Sequence, residues 1–146
     1  MKFIPYGKQF IDQKDIDAVT ETLNSDFLTQ GPKIKDFEDA IASYCNVNYV
    51  VAVSNATAAL HLTALALLNK GDKVLTTPNS FLATPNSILY AGAKPIFVDI
   101  NPDGNIDLDK CEELLKKDNK INAIFGVAMT GLMINQKKLK YLKEKY

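Results

Sequence analysis

From residue 49 onward, short β-branched or apolar runs alternate with helical stretches, and that alternation constrains the fold more than any other property of the chain. "YVVAV" (49–53), "KVLTT" (73–77), "KPIFV" (94–98) and "INAIFGV" (121–127) read as strands, and 56–69, 80–91, 107–117 and 135–145 carry helical spacing. A β-α-β-α order is met by crossovers around a mostly parallel sheet with helices on both faces. The fold class is α/β. A sheet covered on both faces needs a core, and 146 residues at 47% hydrophobic content supply one for a single domain. Upstream, "IDQKDIDAVTETLNS" spaces Ile11, Ile16, Val19 and Leu23 for one helix. "PKIKDFEDAIASYC" spaces Ile34, Phe37, Ile41 and Tyr44 for a second, opened by Pro32. The helix over 135–145 offers Leu139 and Leu142 to the core, and an alternating fold calls for another strand after it, so the sequence reads as cut rather than finished.

Charge narrows the partners. Seventeen basic and seventeen acidic residues cancel, which leaves no global field to recruit nucleic acid or an anionic membrane face. A small molecule is the expected partner. All the basic residues are lysine, so an anion would be held by backbone amides, hydroxyls or lysine rather than by a guanidinium fork. Cys45 and Cys111 lack metal-ligand spacing, and no metal site is expected. "MKFIPYGKQF" has no signal-peptide core, and no apolar run reaches the ~20 residues of a membrane span. A reduced, cytoplasmic protein is the expectation.

"SNATAALHLTALALL" (54–68) is the junction with most chemical content. It takes the chain from the expected strand at 49–53 into an apolar helix, at the carboxyl end of that strand, where open α/β sheets bind ligands. Free amides and the positive dipole of a helix N-terminus suit an anion, and small residues let it approach the backbone. Thr57 adds a hydroxyl, and Ser54 or Asn55 can cap the helix; an ordinary N-cap would use the same residues. Neither G-x-G-x-x-G nor G-x-x-x-x-G-K-[ST] occurs, which removes the main support for a dinucleotide or nucleoside triphosphate. His61, alone on this helix, reads as a packed residue with no catalytic role.

The next junction, "TTPNSFLATPNSILYAGAKP", presents Pro78, Asn79 and Ser80, then Phe81 at the start of a helix whose Pro85 is tolerable only in the first turn. Phe81 would lie at the same sheet edge as Thr57. It fits a flat ring stacked there and it fits ordinary core equally well.

"SNATAALHL", "TTPNSFLATPNSILYAGAKPIFVDI", "GNIDLDKCEELL" and "DFLTQGPKIKDFEDAIASY" together resemble the first part of a DegT-type nucleotide-sugar aminotransferase, in register over nearly the whole chain. Such enzymes use pyridoxal 5'-phosphate (PLP) and have the aspartate-aminotransferase fold. "DFLTQGP", "NATAAL" and "DGNID" are most similar to transaminases that aminate C4 of a UDP-linked 4-keto-6-deoxy sugar in pseudaminic-acid synthesis.

The resemblance implies a division into an N-terminal helix and substrate loop at 1–32 and, at 33–146, the N-terminal part of the PLP-binding large domain. It implies that Ala56 and Thr57 hold the cofactor phosphate and that Phe81 stacks on the pyridine ring. Tyr6, Asp26, Phe27, Leu28 and Thr29 would line the sugar-nucleotide side, with Ala56 also touching substrate. Glutamate as amino donor and a homodimer with shared active sites follow from the same likeness. The lysine that bonds to the cofactor and the carboxylate on its ring nitrogen would both lie past Tyr146. No lysine of this chain stands in a comparable context, so no catalytic residue is assigned.

One stretch departs from the pattern. Where similar sequences often carry a histidine or acid after the valine and then an aromatic, this chain has Ala128, Met129, Thr130 and Gly131. Two other readings stand beside the enzyme: a truncated, inactive copy that binds phosphate or pairs with a full-length relative, and an unrelated α/β ligand-binding module.

Overall fold

The computed structural model describes residue 3, residue 5 and residues 7–146. By contact the chain divides into two compact units, Met1–Ala52 and Val53–Tyr146.

The first unit carries helices α1 (Gln13–Leu23) and α2 (Pro32–Cys45). Asp12 opens α1 with a reciprocal cap: its carboxylate accepts from the amides of Lys14 and Asp15, and Asp15 accepts from the Asp12 amide at 2.9 Å. Pro32, lacking an amide hydrogen, sits in the first turn of α2, where none is needed. Asn46 ends that helix in the left-handed conformation. Gly31 cannot be replaced without movement, because a Cβ there would stand 2.7 Å from that of Phe27.

The second unit is built on three parallel strands, β1 (Lys73–Thr76), β2 (Lys94–Phe97) and β3 (Ile121–Phe125), in the order β2-β1-β3. Lys73–Thr76 pairs with Lys94–Phe97 on one side and with the β3 strand on the other. Side chains alternate across the sheet as the pleat demands. Leu75 faces a cluster with Val98, Ile106, Leu108, Cys111, Ile121, Ile134 and Leu142, under helices α5 (Leu108–Lys117) and α6 (Gln136–Lys145). Val74 faces Ala64, Leu68, Ile88 and Ala93, under α3 (Ala56–Leu67) and α4 (Ala83–Tyr90). The mostly parallel sheet with helices on both faces is therefore as expected.

α5 and α6 are tied by two carboxylates of α5: Asp109, 3.2 Å from the Lys138 ammonium, and the buried Glu112. Glu112, 8% exposed, is bonded by Lys138, by Lys145 (3.1 Å) and by the hydroxyl of Tyr141 (3.1 Å). The Lys138 ammonium foremost, then Lys145, Tyr141 and Lys116, hold it well below the usual carboxylate range, against the opposing effect of desolvation.

Two expectations are corrected. Residues 49–53 form no strand: among the described residues they have no ladder partner, Tyr49 and Val51 are exposed, and the Ala52 amide donates instead to Glu38 Oε1 at 2.8 Å. β-branched composition favours an extended chain, but a strand exists only where a neighbour completes the ladder. The helix expected from residue 80 begins at Ala83. Pro85 has no amide to give the Phe81 carbonyl, which accepts from the Thr84 amide at 3.0 Å instead, so Ser80 and Phe81 stay in the turn.

Candidate functional site

The α3 helix begins with an unanswered pair of donors. Asn55 caps it, its side-chain oxygen accepting from the Ala58 amide at 2.9 Å while its carbonyl accepts from the Ala59 amide at 3.2 Å. The Ala59 amide thus makes the first regular helix bond, and the Ala58 amide the cap. The amides of Ala56 and Thr57 find no acceptor among the described residues, and both residues are exposed. No acidic side chain occupies the first turn to compete for them. Two free amides, the Thr57 hydroxyl and the positive end of the helix make a donor set fitted to a phosphate-sized anion.

This end of α3 points to the carboxyl edge of the sheet. α3 packs on Val74 and feeds β1 through residues 68–72, so it runs back along the strand it precedes. At ~1.5 Å per residue its length matches the sheet's height and carries Ala56 toward the far end. That position follows from the helix-to-strand connection and not from a preceding strand, which corrects the expected placement.

Phe81 stands in the turn that leaves β1 at the same edge, 78% exposed. Among the described residues it joins no core cluster, and an exposed aromatic beside a polar turn is available for a flat ring. At the start of the same turn, Thr77 is fully buried and its hydroxyl accepts from the Asn79 amide at 3.2 Å. Thr76 donates to the Phe125 carbonyl at 2.9 Å and fixes the carboxyl ends of β1 and β3 together.

Two asparagines join the loops of this edge, and no local spacing announces the partners they take. Asn79 Nδ2 donates to the Gly104 carbonyl at 2.9 Å. Asn105, 2% exposed, accepts from the Met129 amide at 3.1 Å and donates to the Leu132 carbonyl at 3.2 Å. Asn in "NPDGN" carries a turn signal, which the turn satisfies: Gly104 takes φ +86 and its amide bonds the Asn101 carbonyl at 2.9 Å. Bonds to partners 24 or more residues away leave no trace in local spacing.

His61 stands edge-on to Tyr90, ring centroids 5.5 Å apart, as a packing residue between α3 and α4. Cys111 is buried, its thiol pushed up to about 12 by desolvation first and by Asp107 second, whereas Cys45 is exposed. Among the described residues no three His, Cys, Asp or Glu side chains group as metal ligands. Among the same residues no helix is long and apolar enough to cross a membrane.

The residues expected on the sugar side belong to the first unit. Asp26, Phe27, Leu28 and Thr29 form the exposed bend between α1 and α2, held by the Ser25 hydroxyl, which donates to the Thr22 carbonyl at 2.7 Å. Tyr6 lies outside the described residues.

Residues 9–146 match the model of the DegT/DnrJ/EryC1/StrS aminotransferase family. The chain belongs to that family. A family member from Campylobacter jejuni, UDP-4-amino-4,6-dideoxy-N-acetyl-beta-L-altrosamine transaminase, is 44% identical over 144 residues, 98% of this chain and 38% of that one. Helicobacter pylori PseC, an aminotransferase involved in the biosynthesis of pseudoaminic acid, superposes with a TM-score of 0.90 at 33% identity. The match covers 99% of this chain and 39% of PseC. A Bacillus subtilis structure of NtdA with bound cofactor PMP aligns at a TM-score of 0.76 and 36% identity, over 90% of this chain and 30% of that chain. This DegT-family chain thus spans about two fifths of the length of the relatives it matches.

Proposed function

We propose that this chain is the part of a PLP-dependent sugar aminotransferase that holds the cofactor's phosphate and ring. The observation that carries the reading is the pair of free amides at Ala56 and Thr57, with the Thr57 hydroxyl, on a helix whose first turn has no acid. In a chain without arginine, a phosphate ester finds here the donors that the residues can offer. Phe81 supplies an exposed aromatic face for the pyridine ring. Bound PLP would supply an electron sink for transamination. The chain's own residues bind and orient it: the amides fix the phosphate, and the helix dipole favours its charge.

The whole protein's reaction is read as amino transfer to C4 of a UDP-linked 4-keto-6-deoxy sugar in bacterial surface-sugar synthesis, with glutamate as donor. The 44% identity to the Campylobacter transaminase supports that substrate class. Asp26, Phe27, Leu28 and Thr29, with Tyr6 and Ala56, are the proposed sugar-nucleotide contacts, and residues 1–32 the proposed substrate segment. A cytoplasmic homodimer completes the reading. No residue of this chain is assigned a catalytic role.

Pyridoxamine phosphate tests the assignment better than PLP, because it has no aldehyde to react with the 17 lysines. Titrated into isotope-labelled protein, it is expected to move the amide resonances of Ala56, Thr57 and Phe81 first. A response confined to other residues would refute the reading.

A further inference from the structure

We infer that Asn105, with Asn79, is a positioning residue that sets where Phe81 stands at the carboxyl edge of the sheet. The inference rests on the proposed role of Phe81 and concerns what holds it. Three loops meet at that edge: the turn after β1 that carries Phe81, the 99–107 segment after β2, and the 126–135 segment after β3. Each is tied to the next by an asparagine side chain. Asn79, two residues before Phe81, donates to Gly104; Asn105 then brackets the third loop, accepting from Met129 and donating to Leu132.

The bracketed turn needs holding. Thr130 sits at φ 54, a left-handed conformation that a threonine adopts only under constraint, and Gly131 follows at φ +84. Asn105 grips the backbone on both sides of that residue and is buried, so water cannot substitute for either bond. Gly104 lies between the other two loops: a Cβ added there would stand 3.6 Å from Asn79 Nδ2 and 3.7 Å from Met129 Cγ. The polar relay and the contact at Gly104 therefore run through the same point. A side chain that both donates and accepts is required, which asparagine supplies and aspartate or leucine does not.

Amide spectra of Asn105→Ala and Asn79→Ala, compared with wild type, test the linkage without any ligand. Both variants are expected to shift the amides of residues 80–82 and of residues 128–132, leaving those of α3 in place. Asn105→Ala changes confined to 128–132 would overturn the proposal. Pyridoxamine phosphate and inorganic phosphate then separate position from anchoring: the first should lose about fivefold in affinity in either variant, roughly the worth of one aromatic contact, and the second should change less than about twofold. Equal losses for both ligands in step with a lower melting temperature would mark Asn105 as merely structural. Asn79→Ala, at a half-buried position, decides between these outcomes if Asn105→Ala does not fold. Failure of wild type to bind pyridoxamine phosphate would count against the cofactor reading alone, since the amide spectra decide the linkage by themselves.

Discussion

The imidazole of His61 on α3 meets the ring of Tyr90 on α4 edge-on, centroids 5.5 Å apart and planes at 67°. The contact joins the helix that begins with the free amides of Ala56 and Thr57 to the one that follows Phe81. It assigns the chain's one histidine to packing, so His61→Ala should lower stability by about 0.5–1.5 kcal/mol and leave pyridoxamine phosphate affinity unchanged. Urea unfolding and calorimetric titration check the two halves, and lost affinity at unchanged stability would contradict them.

Asn55 and Thr57, two residues apart, should separate cleanly. Asn55→Ala removes the cap on the Ala58 amide and should cost about 1 kcal/mol of stability. Thr57→Ala removes an exposed hydroxyl that bonds nothing within the described residues. Its cost should fall on phosphate binding, about tenfold or more for a bond to a charged group worth roughly 1.5–3 kcal/mol. A collapsed melting transition with unchanged binding would make Thr57 only a part of the cap.

The donors at 56 and 57 are legible in the sequence because small residues after a capping Asn suit an anion at a helix start, whatever precedes the helix. The absence of a strand at 49–53 is not legible, because propensity is local and a ladder partner is not. Composition leaves Phe81 between core and stacking; among the described residues it stands 78% exposed in the turn after β1. Asn105 is hidden for a different reason from the strand: the turn signal belongs to Asn101–Gly104, and the Asn105 side chain acts on residues 129 and 132.

The Glu112 cluster predicts an acid limb. The folded carboxyl lies below the ordinary value of 4.5, so its ionised form adds stability at every pH above about 4.5, and that contribution is lost as pH falls below it. Lys138 is shifted upward by Glu112 first and then Asp109, and Lys145 by Tyr141 first, then Tyr146 and Glu112, which places their share below about 10.5 and removes it as pH rises further. Glu112→Gln should therefore be less stable than wild type at pH 7, with the gap narrowing toward pH 3 in urea titrations. A gap independent of pH would mean that shape, not charge, holds α5 to α6.

The two thiols should react on different terms. Cys45 is exposed; Cys111 is buried and stays protonated far above neutrality. A maleimide or disulfide reagent at pH 8 should modify one thiol in the native protein and the second only after unfolding. Rapid modification of both in the folded state would contradict the burial of Cys111.

On the proposed reading, the start of α3 recognises the cofactor through its phosphate. Calorimetric titration of wild type and Thr57→Ala, each with pyridoxamine phosphate and with phosphate-free pyridoxamine, measures this directly. Wild type is expected to bind the phosphorylated ligand much more tightly, and Thr57→Ala to narrow the difference by weakening that ligand alone. Equal affinity of wild type for both ligands, or equal weakening of both in the variant, would contradict it.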